Sequence, residues 1–113
     1  MKKDCVFCRI VTGELPSEKL YEDERVIVIK DINPQAPFHA LVITKDHIEN
    51  ILDVEDYEIF SHVFKVINLV AREYGLTEKG FRIVNNCGYE GGQTIYHLHF
   101  HILGGRFMGW PPG

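Results

Sequence analysis

The ten residues YHLHFHILGG, at positions 96–105, constrain the fold of this chain more than any other segment. Histidines alternate with apolar residues here, and strict alternation predicts a β-strand whose two faces differ in polarity. One face carries a row of imidazoles about 7 Å apart from Cα to Cα, and the other face is apolar and is expected to line a core. The row consists of His97, His99 and His101. The apolar face consists of Leu98, Phe100 and Ile102.

The histidine row has three interpretations. Lys, Thr or Glu would serve equally well on a solvated polar face, so the use of histidine favours a metal-binding or catalytic role. His-x-His spacing on a strand is common in metal sites, whereas neutral imidazole is a nucleophile near pH 7 and its protonated form donates to phosphate oxygens. The preceding segment GYEGGQT, at positions 88–94, favours phosphoryl chemistry, because glycines let backbone N–H groups approach a phosphate closely. Gln93 and Thr94 add donors there, and a metal-dependent hydrolase stays open as the alternative.

The bulk properties exclude several classes of protein. The 113 residues fit one domain, and the formal net charge of −4 offers no basic field for a nucleic-acid partner. No apolar run approaches the roughly 20 residues of a membrane span, and the start MKKDCVFC lacks the apolar stretch of a signal peptide. We therefore expect a cytoplasmic protein without a membrane partner. Its three cysteines argue against a disulfide framework.

The hydrophobic pattern predicts an α+β fold built on an antiparallel sheet. β-branched residues predict strands at 25–31 and 39–45, and two more strands are expected at 80–86 and 95–103. A short helix is expected over 5–13. A long amphipathic helix should follow Asp53 as its N-cap and end at Gly75. Because one long helix permits few parallel crossovers, we expect a five-stranded antiparallel meander, of which these segments locate four strands.

The sequence also resembles a known family. HLHFHIL matches the His-φ-His-φ-His-φ-φ signature of the histidine triad (HIT) superfamily, where φ is apolar. Further segments resemble its Hint branch of nucleotide-binding proteins, and the resemblance covers roughly residues 5–113. These segments are NPQAPFHALVITKDHI, VNNCGYEGGQTIYHLHFHILGGR and the terminal WPPG.

The resemblance implies a fold and an activity. The fold would be a single HIT domain over 1–113, with the triad strand at 97–103, a tail at 104–113, and a sheet that continues across a homodimer. The activity would be hydrolysis of purine nucleoside 5′-phosphoramidates, such as AMP–amine and AMP–lysine adducts, to nucleoside monophosphate and amine through a nucleotidyl-histidine intermediate. A nucleotide-binding regulatory module with little catalysis is the alternative from another class.

The resemblance also implies roles for individual residues. His99 matches the nucleophile, His101 the histidine that contacts the phosphate and the departing group, and His39 the fourth histidine behind the nucleophile. Thr94 stands where many Hint proteins have serine and retains the hydroxyl. Phosphate-side contacts are implied for Asn86, Gly92, Gln93 and Thr94. The ribose contact is implied for Asp31, the apolar base slot for Phe7, Ile10, Ile29 and Ile32, and a contact in the partner's site for Trp110.

Several of these residues also have purely structural interpretations. Asp31 could cap the turn that follows its strand. The base-slot residues could be ordinary core positions, and Trp110 could serve packing alone.

The cysteines add a candidate metal site. Cys5-x-x-Cys8 has the spacing of half a zinc site, and His47 and His97 are available as two further ligands. Some bacterial histidine triad proteins and the related galactose-1-phosphate uridylyltransferases hold a structural zinc with such a set. We therefore expect one structural zinc and no cofactor for catalysis, the alternative being two buried thiols without a metal.

Overall fold

The computed structural model describes residues 2–113 as one five-stranded antiparallel sheet with two α-helices and a short 3₁₀ helix. The helices are α1 (Val6–Val11), the 3₁₀ helix (Ile51–Asp53) and α2 (Glu58–Glu73). The strands are β1 (Lys19–Glu22), β2 (Val26–Lys30), β3 (Phe38–Thr44), β4 (Phe81–Val84) and β5 (His99–Gly104). The predicted α+β class with one five-stranded antiparallel sheet is confirmed, whereas the predicted meander is wrong for the last two strands. Within residues 2–113, no helix combines the length and the apolar character needed to cross a membrane.

The order of the strands places the histidine strand inside the sheet. Strands run in the order β1-β2-β3-β5-β4, so the first three form a meander and the last two exchange places. α2 lies in the connection that carries the chain from β3 to the edge strand β4. Within β5, His101 is opposite Leu41 of β3 on one side and Val84 of β4 on the other. β5 is therefore hydrogen-bonded along both edges, which fixes the backbone that carries its histidines.

The two faces of the sheet bury different amounts of apolar surface. Leu98, Phe100 and Ile102 point into the larger core, as the alternation predicts. α2 covers this core with residues at helical spacing, namely Ile59, Val63, Val66, Ile67 and Val70. The histidine face has a smaller core beside α1. Its buried members are Phe7, Ile27, Ile29, Leu41 and Ile43.

Local hydrogen bonds account for two element boundaries that differ from prediction. Asp53 does not cap the long helix. It belongs to the 3₁₀ helix, where its carboxylate accepts the Asn50 N–H at 3.3 Å, and α2 begins only at Glu58. The last strand begins at His99 rather than at position 95, because the Leu98 N–H donates to the Ile48 carbonyl outside the sheet at 2.6 Å. Gly75 ends α2 as predicted, with a φ of 74° that suits glycine.

Candidate active site and metal centre

Two histidines from adjacent strands form a hydrogen-bonded pair. His39 Nε2 on β3 lies 2.9 Å from His101 Nδ1 on β5. The backbone N–H of Gln35 donates to His39 Nδ1 at 3.0 Å, so the proton of neutral His39 must be on Nε2. That proton is donated to His101 Nδ1. The hydrogen-bond network thereby assigns the proton of neutral His101 to Nε2.

His99 has the opposite arrangement of protons. Its Nδ1 lies 2.6 Å from the backbone carbonyl of His97, and a carbonyl can only accept, so Nδ1 carries the proton. Nε2 therefore holds a lone pair. The ring is 8% exposed and packs edge-on against Phe7, with the centroids 4.9 Å apart. Its centroid lies 5.2 Å from that of His101, so a lone pair and an N–H donor occupy adjacent rings.

Burial keeps these imidazoles neutral at pH 7. It lowers the pKa of His101 to about 4, and the neighbouring His99 and His39 contribute to the same shift. Burial also lowers the pKa values of His99 and His39, although the Asp31 carboxylate opposes the shift in both. Neutral His99 is nucleophilic, whereas neutral His101 is a hydrogen-bond donor. The pair can thus attack an electrophile and support the group that departs.

Asp31 links the turn after β2 to the histidine pair. Its Oδ1 accepts the Asn33 N–H at 2.8 Å, so one of the two carboxylate oxygens caps the turn. Its Oδ2 lies 3.4 Å from His39 Nε2. The predicted contact with a ribose is not tested by these bonds, and it stays a prediction.

The glycine loop is closed by side chains that were expected to face a phosphate. The buried Gln93 amide accepts the Gly88 N–H at 2.9 Å and donates to the Glu49 carbonyl at 2.7 Å. Asn86 Nδ2 donates to the Gly91 carbonyl at 2.7 Å. The Gln93 side-chain amide therefore braces the loop, and its predicted contact with a phosphate stays a prediction. The remaining phosphate-side contacts, including that of the exposed Thr94, stay predictions.

The apolar base-slot residues are brought together only in part. Phe7 and Ile29 are buried in the smaller core, and Ile10 packs against it. Ile32 stands apart on the loop after β2 and is 98% exposed. Trp110 is 83% exposed in the tail. Three of the slot residues thus belong to one apolar cluster, in which Phe7 contacts His99, whereas Ile32 and Trp110 are exposed.

The four predicted metal ligands converge on one point. The ligand atoms of Cys5, Cys8, His47 and His97 all lie within 4.8 Å of one another. Cys5 Sγ is 3.3 Å from His97 Nδ1, and Cys8 Sγ is 3.2 Å from His47 Nδ1. A tetrahedral zinc with usual bond lengths needs S–N separations of about 3.6 Å. The cluster therefore fits zinc with shifts of a few tenths of an ångström.

The hydrogen bonds around the cluster prepare it for a cation. His97 Nε2 lies 2.6 Å from the Thr44 carbonyl, so its proton is on Nε2 and the Nδ1 lone pair faces the thiols. Burial raises the pKa of the Cys8 thiol, so a bound cation would be what drives its deprotonation. The donor set of two sulfurs and two imidazoles is one that zinc prefers.

The structure divides the histidine row between two sites. His97 belongs to the thiol cluster, whereas His101 is grouped with His39 and Asp31, whose ligand atoms also lie within 4.8 Å of one another. Sequence reasoning missed Gln35, whose backbone N–H fixes the His39 proton, and Asn85, whose Nδ2 donates to the His99 carbonyl at 2.9 Å. A backbone N–H gives no signal in a sequence, whereas the polar Asn85 side chain near the end of the predicted strand 80–86 is one.

Comparisons with known proteins agree with this geometry. A family model described as the HIT domain matches residues 12–108. An uncharacterised HIT-like protein of Synechococcus elongatus is 44% identical over 115 aligned residues that cover 100% of both chains. A 14 kDa zinc-binding protein of Zea mays is 46% identical, with 96% of this chain and 87% of that protein covered. The crystal structure of a HIT family hydrolase from Legionella pneumophila Philadelphia 1 matches with a TM-score of 0.94 and 45% identity, over 97% of this chain and 100% of that one. On its sequence, its fold and its paired histidines, the chain belongs to the HIT domain family.

Proposed function

We propose that this protein hydrolyses purine nucleoside 5′-phosphoramidates of the AMP–amine and AMP–lysine type to nucleoside monophosphate and amine. The observation that carries the proposal is the pair of complementary tautomers, in which His99 offers an Nε2 lone pair and His101 an Nε2–H. The hydrolase name of the solved Legionella relative supports hydrolytic chemistry. The resemblance to Hint proteins supports the phosphoramidate substrate.

The first step forms a nucleotidyl-histidine. His99 Nε2 attacks the α-phosphorus, the P–N bond breaks, and its electron pair stays on the departing nitrogen. His101 donates its Nε2–H as a hydrogen bond to the phosphoryl oxygen or to that nitrogen. The hydrogen bond from His39 keeps His101 neutral, so His101 has no extra proton to give. The departing nitrogen therefore takes its proton from solvent.

The second step releases the nucleotide. Water adds to phosphorus, His99 leaves with its electron pair, and one proton of the water returns to solvent. Because no step needs a bound cation, histidines with fixed tautomers are sufficient.

The test is His99→Ala with adenosine 5′-phosphoramidate as substrate. Turnover should fall by about 10⁴-fold or more, whereas AMP should still bind. Rapid quenching and intact-mass measurement should detect a nucleotidyl adduct on the parent protein only. His62→Gln, which changes a histidine outside the site, is the control. Activity of the alanine variant within tenfold of the parent would remove His99 as nucleophile.

A structural zinc is the second element of the proposal. Cys5, Cys8, His47 and His97 would hold it in a closed tetrahedral shell, so it would cross-link the chain without an open position for substrate. The name of the maize relative, a zinc-binding protein, supports this. Metal analysis of protein purified without chelator should find about one zinc per chain.

A homodimer is the third element. β4 forms an edge of the sheet and carries Phe81 and Ile83, each 37% exposed. Exposed strand edges pair readily with a second copy of the same edge. The exposed Trp110 suits a tail that reaches the partner's site. The cytoplasmic location and the purine preference stay predictions from the sequence.

Two alternatives have distinct signatures. The clustering of Asp31, His39 and His101 favours a metal-dependent hydrolase as the second candidate. Strong inhibition by 1,10-phenanthroline of protein that stays folded would support it, whereas the proposed reaction should persist at saturating substrate. A regulatory module would bind AMP but show no turnover of any phosphoramidate.

A further inference from the structure

Helix α1 carries the thiols of the metal centre and a base-slot residue in the same turn. Cys5 caps this helix, since its Sγ accepts the Cys8 N–H at 3.4 Å. Phe7 lies between the two cysteines and is 4% exposed. Its ring packs edge-on against His97 and His99, with centroids 5.9 and 4.9 Å away. The position of Phe7 is therefore tied to both the metal centre and the nucleophile.

The metal centre would add a second link between α1 and the sheet, beside the apolar packing of Phe7 in the smaller core. α1 has only six residues, too few to be stable without tertiary contacts. Two ligands, Cys5 and Cys8, lie at the start of α1. The other two lie across from it, and His97 is itself bonded to the end of β3 through the Thr44 carbonyl. A zinc ion would turn S–N contacts of 3.2 to 3.6 Å into coordinate bonds that fasten α1 to the sheet.

We propose that zinc occupancy of the cluster of Cys5, Cys8, His47 and His97 sets the affinity of this protein for the base of its nucleotide, through the position of Phe7. This inference rests on the proposed function, because it takes Phe7 as a wall of the base slot. It adds to that function a metal-dependent control of nucleotide binding.

The ribose and phosphate parts of the ligand should be affected much less. Asp31 is held by its own bond from Asn33, and the glycine loop is held by Gln93 and Asn86. None of these bonds involves α1. Metal loss should therefore reduce only the part of the AMP affinity that comes from contacts with the base.

Thermodynamic linkage requires the reverse effect. If zinc strengthens AMP binding by some factor, AMP must strengthen zinc binding by the same factor. Ribose 5-phosphate, which lacks the base, should leave zinc affinity unchanged. This comparison separates a coupled site from a zinc that only stabilises the fold.

The first experiment is calorimetry of AMP and of ribose 5-phosphate with zinc-loaded and zinc-stripped protein, with circular dichroism as the check on folding. Displacement of one aromatic wall should raise the Kd for AMP by about two- to tenfold, while the Kd for ribose 5-phosphate should stay within about twofold. Cys87→Ser, which changes the cysteine outside the cluster, should behave as the parent protein does.

The second experiment measures the zinc affinity of the protein in the presence of each ligand. Competition with a chromogenic chelator should show tighter zinc binding in saturating AMP than in saturating ribose 5-phosphate, by the factor found in calorimetry. Phe7→Leu should bind zinc normally but lose this difference. Equal effects of the two ligands on zinc, or an unchanged difference in Phe7→Leu, would overturn the inference.

These measurements are independent of turnover. Coupling without phosphoramidate hydrolysis would leave this inference standing and remove the proposed function. Hydrolysis without coupling would do the opposite.

Discussion

Replacement of His39 by leucine tests whether the histidine pair works by fixing a tautomer. The change removes the donor that lies 2.9 Å from His101 Nδ1 and leaves the His101 proton free to move between its two nitrogens. Leucine is apolar and of suitable size for this buried position, so the loss of the hydrogen bond is the main perturbation.

The expected magnitude follows from the hydrogen bond. A buried bond between neutral groups contributes about 0.5 to 1.5 kcal/mol, and about 1.4 kcal/mol corresponds to a tenfold change in rate. We therefore expect kcat to fall about tenfold in His39→Leu, with little change in KM. The same variant leaves the Gln35 N–H and His101 Nδ1 without partners, so it should unfold about 2 kcal/mol more easily.

The assay is steady-state hydrolysis of adenosine 5′-phosphoramidate at 15 °C, well below the expected melting temperature. His39→Gln is the matched control, because its amide can donate to His101 and should recover part of the lost kcat. A leucine variant within twofold of the parent would refute the orienting role. A loss as large as that of His99→Ala would refute it differently, since it would place His39 in the bond-making step.

The remaining predictions concern pH, stability and assembly. Because burial lowers the pKa values of both His99 and His101 below the usual 6.5 and the neutral forms are active, the acid limb of kcat should have its midpoint below pH 6.5. A midpoint at or above 6.5 would contradict this assignment. Burial alone would raise the pKa of Asp23, but hydrogen bonds from the backbone, Tyr21 and His62 hold it at about 2, below its usual 3.8. Its contribution to stability is therefore present above pH 3.8 and is lost as the pH falls through 2. In urea denaturation at pH 7, Asp23→Asn should cost about 2 kcal/mol, whereas Glu24→Gln on the neighbouring exposed residue should cost little. Sedimentation equilibrium should give twice the chain mass of 13.0 kDa, and deletion of residues 110–113 should lower activity without dissociating the dimer.

The sequence predicted the sheet and its histidine face because the period of two is a local property. Alternation at 97–103 places Leu98 and Phe100 in the larger core, and helical spacing places α2 over it. The sequence does not indicate β1, since KLYE has only four residues and no alternating apolar pattern. Asp53 was assigned to the wrong helix because the local competition from Asn50 is visible only in three dimensions.

The parts of the site that escaped prediction depend mainly on backbone atoms. The protons of His39, His97 and His99 are fixed by the Gln35 N–H and by the carbonyls of Thr44 and His97. Every residue type except proline offers both groups, so no pattern of side chains could indicate which of them would be used. Gln93 shows the converse case. Its side chain predicts a ligand contact, which stays a prediction, and its buried amide satisfies its hydrogen bonds within the chain, an arrangement that the sequence alone does not indicate.

His97 explains why the row holds three histidines when the proposed chemistry uses only two of them. Its ring and its carbonyl serve different sites: Nδ1 faces the thiols of Cys5 and Cys8, and the carbonyl accepts the Nδ1–H of His99. The strand begins only at His99, so position 97 lies just before it, where the ring faces the thiols and the carbonyl still reaches the nucleophile. A displacement of His97 would therefore disturb both the metal centre and the tautomer of His99. Substitutions at position 97 should not separate metal binding from catalysis, whereas substitutions at Phe7 should.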